Sequence, residues 1–500
     1  MIPFRSFRAV FPLLAVCALP AADDRFAALS KAVTEFRLAN GAQFLVVDRP
    51  NSPLVSFHLR VKAGFADEPT GQGGLALLSL VNFIEGSEVY GSRNPSQEKA
   101  SLADAIKLLE ISRAENDKGD QADEIKKGRA DYQAHAAFDQ AASWAVEPRF
   151  FDRVLAGSGV TGFELRTSAD FSDLAFTLPS HRAELWFRMV GSWLQAPSSR
   201  FFFKNLAIVV EQRAQFNKTG ASQRERAFAA AFTVHPYRAM AAPESEIATV
   251  GATEVRSFLK SFYVPGNLTV AIVGDIPPAE ARRLAEFYFG KLPASTPPEA
   301  RGSTALQVEG VQPVRLALPE APLFSAGWAR PAAGDADDAV FEILQAVIAG
   351  GPGSRLHNEL MVDAPLAKRL VVSSRYPGGR FPGLFVIEAE PQANRSPDEI
   401  ELAIGRGLET LKKNGVSAEE LERASLWWRT RLLNEARTAA GRAAQLVRSQ
   451  TEFGTYRVEE RLAKLEAVTS KDCQRVVAEY LAGKPFLSVV QLTAVAGDGQ

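Results

Sequence analysis

The side chains that most often carry chemistry are scarce here. Five histidines occur in 500 residues, His58, His135, His181, His235 and His357, with two cysteines, Cys17 and Cys473. Two histidines one helical turn apart, or paired cysteines, would aim converging lone pairs at a transition metal. Neither pattern is present, since no two histidines lie within twenty positions of each other. A disulfide framework and a cysteine-based zinc site are excluded. Assembling a metal site from His58, His181 or His235 would need three or four ligands to converge from far apart, and nothing local signals it.

Composition narrows the function classes further. Hydrophobic residues make up 46% and charged residues 23%, the balance of a folded globular chain. Lys plus Arg total 57 against 58 Asp plus Glu, so no basic excess argues for nucleic acid. The opening MIPFRSFRAVFPLLAVCALPAA carries Arg5 and Arg8, an apolar run from Ala9 to Leu19, and small residues at Ala21 and Ala22. That is the layout of a secretory signal peptide, expected over 1–22, and the run is too short to span a bilayer. Val16 before Cys17 argues against a lipoprotein. No later segment reads as a membrane span. An exported protein is expected, periplasmic in a Gram-negative source.

Length alone suits roughly three domains, but the pattern reads as two similar halves. In the first, Gln43–Asp48 and Leu54–Lys62 alternate as half-buried strands do. Helices are expected over Gly74–Ile84, Ser180–Leu194 and from Ser198 to about Phe216, with a strand at Asp173–Leu178. The near-continuous apolar run Asn267–Asp275 suits a buried strand, and a helix follows from Pro277 to Gly290. The second half repeats the plan. Pro313–Leu318 leads to Leu323–Arg330, a helix over Ala336–Ala349 capped by Asp335, a strand at Leu384–Ala389, a helix over Ser396–Lys413, mostly helix from Ser417 to Gln450, and a final strand at Phe486–Leu492. Both halves place a Tyr and a Gly just before a valine-rich strand. The expected domains are 23–291, with a helical insertion at about 96–145, and 305–500, joined by a linker at 292–304.

Several segments in this order resemble the insulinase/pitrilysin family of zinc peptidases, the inverzincins, in their processing-peptidase-like branch. These are Ala63–Ala76, Gly86-Ser87, His235-Pro-Tyr-Arg238, Phe262-Tyr-Val-Pro-Gly-Asn267 with Val273-Gly-Asp275, and Gly350–Leu356. The resemblance spans roughly 40–495. It implies an α+β fold of two homologous lobes, each a mainly antiparallel sheet packed with helices, enclosing a cavity.

Family members carry His-x-x-Glu-His on a helix, where two histidines ligate zinc and the glutamate activates water. Aligned without a gap on Gly74-Leu-Ala76 and Gly86-Ser87, the histidine positions fall on Leu77 and Val81 and the glutamate position on Leu80. The downstream ligand position falls on Gln212, after Glu211. Leu77, Leu80 and Val81 have no lone pair for zinc and no proton to move. With Ile84 they stand at i, i+3, i+4 and i+7 and read as one aliphatic packing stripe. In the second half, the family's substrate-contacting Arg and Tyr positions hold Met361 and Lys368.

The resemblance further implies that Glu164 and Arg166 lie on the edge strand that pairs with extended peptides. They are candidate peptide-facing residues, and so is Arg355, for which a structural role beside the Gly-rich turn competes. His235 reads as fold maintenance, Glu211 as a surface or paired acid, and Trp427-Trp428 as packing. The resulting expectation is a member lacking the zinc motif, without cofactor and without catalytic or metal residues. It would pair as a non-catalytic subunit with an active homologue, or self-associate, with peptides as ligands. Two alternatives stay open: a working zinc metalloendopeptidase with a non-standard metal site, and a structural or peptide-binding module.

Overall fold

The computed structural model describes residues 22–493 apart from 89, 147–150, 231, 233–234, 300–313, 319, 484 and 486. The expected signal peptide before Ala22, and the linker from 300 onward, lie outside the described residues. In chain order the first half runs α1 (Ala22–Lys31), β1 (Thr34–Arg37), β2 (Gln43–Asp48), β3 (Leu54–Val61) and α2 (Leu75–Ile84). Two long helices follow, α3 (Pro95–Asn116) and α4 (Glu124–Ser143), which pack on each other. Then come β4 (Thr161–Thr167), β5 (Ser172–Pro179), α5 (Ala183–Gln195), α6 (Phe202–Asn217), α7 (Gly220–Ala230), the short α8 (Glu244–Ile247) and α9 (Ala252–Phe262). Strand β6 (Leu268–Gly274) and α10 (Pro278–Phe289) close the half.

The second half opens with β7 (Val314–Leu318), β8 (Leu323–Arg330), α11 (Asp338–Ala349) and a single turn, α12 (Arg355–His357). The hairpin β9 (Ala367–Tyr376) and β10 (Gly383–Pro391) precedes five helices: α13 (Pro397–Asn414), α14 (Ala418–Glu435), α15 (Ala439–Phe453), α16 (Val458–Glu466) and α17 (Ser470–Val476). Strand β11 (Leu487–Thr493) is last. Ser396 with Glu399, and Ser417 with Glu420, form reciprocal caps that start α13 and α14 where the sequence places them.

The two sheets share one plan. The first has the order β1-β2-β6-β3-β5-β4 and the second β7-β11-β8-β10-β9. Leaving β1 aside, the strands correspond one to one. The β2–β6 and β7–β11 pairs are parallel, and every other pair is antiparallel. The expected α+β fold of two homologous lobes therefore holds.

Burial divides each strand by parity. In β2, Phe44 and Val46 enter the core under the first lobe's own helices, and so do Val270 and Ile272 of β6. Leu45, Val47, Ala271 and Val273 point to the opposite face and pack on Ala443, Leu446 and Val447 of α15, a helix of the second lobe. The exchange is returned. Leu384 and Val386 of β10 and Leu487 and Val489 of β11 pack on Phe228 and Ala229 of α7, with Phe232, Tyr237 and Met240 beyond it. Gly327 in β8 makes room, since a Cβ there would meet the Phe228 ring at 2.9 Å. Both faces of both central strands are buried, which is why β6 reads as an unbroken apolar run.

Some expected boundaries move. α11 starts at Asp338 rather than Ala336, with Asp337 at its N-cap. Asp335 is not the cap, because its Oδ1 accepts from the Asp337 N–H at 3.2 Å and closes a preceding turn. The helix expected from Ser198 begins at Phe202. The stretch from Ser417 to Gln450 is two helices, the second capped by Thr438. Strand β9 was not expected. It begins Ala367-Lys-Arg369 and lies at a sheet edge, so it lacks the apolar alternation that marks the other strands.

One carboxylate locks the lobes together. Asp170 follows β4, is buried, and accepts from Tyr237 Oη at 2.9 Å and from the Gly379 and Arg380 backbone N–H groups at 2.7 and 3.0 Å. Tyr237 Oη in turn accepts from the Phe381 N–H at 3.1 Å. Gly378 is needed for the approach, because a Cβ there would fall 2.4 Å from Asp170 Oδ2. Removing this acceptor strands several buried donors at once. Asp170→Ala is expected to cost about 3 kcal/mol or more, read as a lowered urea midpoint.

Candidate functional site

Helix α2 starts on Gly74, which is left-handed (φ 84°) and offers no capping side chain. The cap comes from outside. Glu68 Oε2 accepts from the Gly74 N–H at 3.0 Å and Oε1 from the Ala76 N–H at 2.8 Å. Glu246 of α8 accepts from the Gly73 N–H at 2.7 Å. The carboxylates thus satisfy donors that a helix start leaves open. Burial nevertheless pushes the Glu68 carboxyl up to about 8, outweighing those N–H bonds, with Glu246 and Asp67 adding repulsion.

The far end of α2 is tied to α6. Asn82 Nδ2 donates to the Leu78 carbonyl at 2.8 Å, and Asn205 Nδ2 donates to Asn82 Oδ1 at 3.2 Å, both buried. Eight of the ten α2 residues are buried; the two that are not are Leu77 and Val81. The expected single packing stripe is therefore split. Leu80 and Ile84 enter the core, whereas Leu77 and Val81, one turn apart, are only half-buried on a line that solvent still reaches. These are the two aligned histidine positions. Gln212 and Glu211 are exposed on α6, and Glu211 accepts from Gln215 at 2.5 Å. This donor set does not fit zinc: two aliphatic residues, a buried leucine and a neutral amide offer no charge and at most one weak oxygen donor. Among the described residues, no group of three His, Cys, Asp or Glu is placed to hold a metal ion.

β4 runs beside α2 as the outer strand of its sheet. Gly162 takes a left-handed conformation (φ 60°) where the β4–β5 register slips between Thr161 and Glu164. Glu164 and Arg166 are both exposed, as an edge strand open to pairing requires. Arg166 Nη2 reaches Asp173 Oδ2 at 3.3 Å. Asp173 is buried and also receives His58 at 3.1 Å and Arg60 Nε at 2.6 Å. Burial alone would raise the Asp173 carboxyl, but the His58 bond and the Arg60 charge more than offset it and hold it well below the usual range.

The second-lobe positions lie elsewhere. Arg355 donates to Glu420 through Nε and Nη2 at 2.5 and 2.7 Å and to the Gly415 carbonyl at 2.7 Å, which fastens α12 to the start of α14. Met361 packs half-buried against its lobe's core, and Lys368 on β9 pairs with Glu390 at 2.6 Å. His235 Nδ1 accepts from the Tyr237 N–H at 3.1 Å and caps a short turn. Trp428 is buried and donates to the Glu342 carbonyl at 3.0 Å. Two carbonyls of edge strand β9 are already taken, Val372 by Gln345 Nε2 at 2.7 Å and Ser374 by Arg330 Nη1 at 2.6 Å. Glu68, Asp170 and the arginines facing between the lobes were missed from sequence. A carboxylate six residues ahead of a glycine-started helix was a usable signal for Glu68.

The two sheets and the exchanged helices define an α+β fold of two matching lobes. Residues 249–425 match the family described as the peptidase M16 inactive domain. A 256-residue stretch, 47% of this chain, is 27% identical to the probable mitochondrial-processing peptidase subunit alpha of Schizosaccharomyces pombe and spans half that protein's length. A solved protease from Helicobacter pylori superimposes with a TM-score of 0.71 at 16% identity, over 92% of this chain and 99% of that one. The periplasmic protease PqqL of Escherichia coli does so with a TM-score of 0.64 at 15% identity, over 92% of this chain and 48% of its own. Residues 249–425 thus carry the match to the M16, or insulinase/pitrilysin, family, and the sequence contains no His-x-x-Glu-His.

Glu68 makes a pH dependence. Its folded value of about 8 lies above the ordinary 4.5, so the folded chain holds the proton across that window. The stabilisation is full below about 4.5 and is lost as pH rises through 8. Between pH 5 and pH 8 the wild type is expected to lose more stability than Glu68→Gln, measured as the difference in urea midpoints.

Proposed function

We propose that the protein is an exported, non-catalytic M16 subunit that holds extended peptides by strand addition to β4 and works beside an active homologue. The observation that carries this reading is the chemistry of α2. Its open positions, Leu77 and Val81, are hydrocarbon, and Leu80 between them is sealed in the core. Water cannot be activated by such groups. Strand addition needs only backbone N–H and C=O groups, so peptide binding survives the loss of the metal ligands. The exposed β4 edge beside α2 suits it, whereas β9 has part of its edge taken up by Gln345 and Arg330. The name of the processing-peptidase relative, a subunit alpha, supports a partnered role. The leader-like N-terminus supports export, as does the periplasmic description of PqqL.

Three sets of measurements test this. Purified protein dialysed against micromolar zinc is expected to keep well under one metal per chain and to cleave no peptide; stoichiometric zinc with chelator-sensitive cleavage overturns the reading. A β-forming peptide N-methylated at alternate amides is expected to bind at least tenfold more weakly in one alternation than in the other, because a paired strand turns only every second N–H toward β4. Equal binding of the two methylated series rules out strand addition. An active homologue co-purifying from the native extract supports the heterodimer, and a homodimer alone by light scattering counts against it.

A further inference from the structure

A cavity of 330 Å³ lies between the lobes where β4 ends, and its walls are dominated by arginine. Arg60 of β3, Arg166 of β4, Arg375 of β9, Arg431 of α14, Arg448 of α15 and Arg461 of α16 line it. Three carboxylates, Asp170, Glu342 and Glu452, share the lining, and Asp173, Asp338 and Glu435 pair with these arginines from behind it, so the six guanidiniums are balanced in number. Six guanidiniums gathered from both lobes are costly to assemble unless each is matched, and the matching is uneven.

The inner three are fully engaged. Arg60 is held by Asp173, Arg375 by Asp338 at 2.8 Å and Glu342 at 2.9 Å, and Arg461 by Glu342 at 2.7 Å. Their planes are fixed by aromatic rings: Arg60 lies 4.5 Å from the Phe171 centroid, and Arg375 and Arg461 lie 4.8 and 4.1 Å from that of Phe453. The outer three are under-matched. Arg166 shares Asp173 with Arg60, while Arg431 and Arg448 share Glu435. Arg431 also stacks on Trp427 and Trp428 at 5.3 and 5.5 Å. Arginine has five N–H donors in a planar fork, so these three keep donors to spare on the open side.

We propose that this cavity binds the C-terminal carboxylate of the peptide held on β4. Arg166 and Ser168 stand at the end of β4 and also line the cavity, so a strand paired with β4 leads into it. The peptide then runs parallel to β4. The space accommodates a terminal residue or two, and the fork geometry of arginine matches a planar carboxylate. Free phosphate shares the oxyanion chemistry, but Glu342, Glu452 and Asp170 in the same wall repel a dianion more than a single carboxylate. This inference rests on the β4 reading and adds the polarity and end-group preference of the ligand.

The test uses the full mature chain and acetyl-Thr-Val-Thr-Val-Thr-Leu, as free acid and as C-terminal amide, with inorganic phosphate as the third probe, all by calorimetric titration. The free acid is expected to bind at least tenfold more tightly than the amide. Arg431→Gln and Arg448→Gln are each expected to remove most of that difference, by weakening the free acid at least tenfold more than the amide. Equal affinity of acid and amide in the wild-type chain overturns the proposal while leaving strand addition standing. Phosphate binding at micromolar concentration without an acid preference also overturns it. No binding of either peptide removes both readings.

Discussion

Each sheet in this molecule has two apolar faces, and no lobe owns enough helices to cover both of its own. Leu45, Val47, Ala271 and Val273 would be bare without α15, and Leu384, Val386, Leu487 and Val489 would be bare without α7. Apolar surface of that extent is not left in water. The halves must therefore exchange helices. Everything between the lobes is fixed by that exchange: the Asp170 contacts with residues 379–380, the Arg224 bond to Gln491 at 2.6 Å, and the pairing of Arg60 with Glu452 at 3.4 Å. The charged inter-lobe cavity is a by-product of this packing, because side chains at the sheet end are brought face to face with α11, α14, α15 and α16.

The same logic explains how α2 keeps its frame without metal ligands. α2 is held at its start by Glu68 and Glu246 and at its end by the Asn82–Asn205 bond, and none of these depends on a metal. Zinc would have contributed binding energy to the fold had ligands been present. Here Leu80 and Ile84 contribute buried area in its place. Leu77 and Val81 do so only in part.

Much of this was legible because the physics is local. The run from Leu268 to Val273 announces a strand buried on both faces, and Ser396-x-x-Glu399 and Ser417-x-x-Glu420 announce helix starts. The occupants of the metal positions follow from two anchors, Gly74-Leu-Ala76 and Gly86-Ser87, that needed no gap. What escaped was set by neighbours far along the chain. β9 has no apolar alternation because one of its edges faces no strand. The division of the α2 stripe into open and buried lines depends on where β4 and α6 sit. The arginine cavity draws on positions from 60 to 461, and no window of sequence contains more than a fragment of it.

The arrangement of charge at the end of β4 also bears on the proposed strand addition. A bare edge strand is a hazard, since it invites pairing with any extended chain. β9 meets that hazard with side chains that occupy its carbonyls. β4 meets it differently: Glu164 and Arg166 project from it, and the strand ends against a wall rich in guanidinium groups. A second copy of β4 would have to run its flanking chain into that wall. A short peptide that ends in a carboxylate does not meet that obstacle. Selectivity of this sort needs no reacting group, only an open edge and a charged end wall held in register by the exchanged helices.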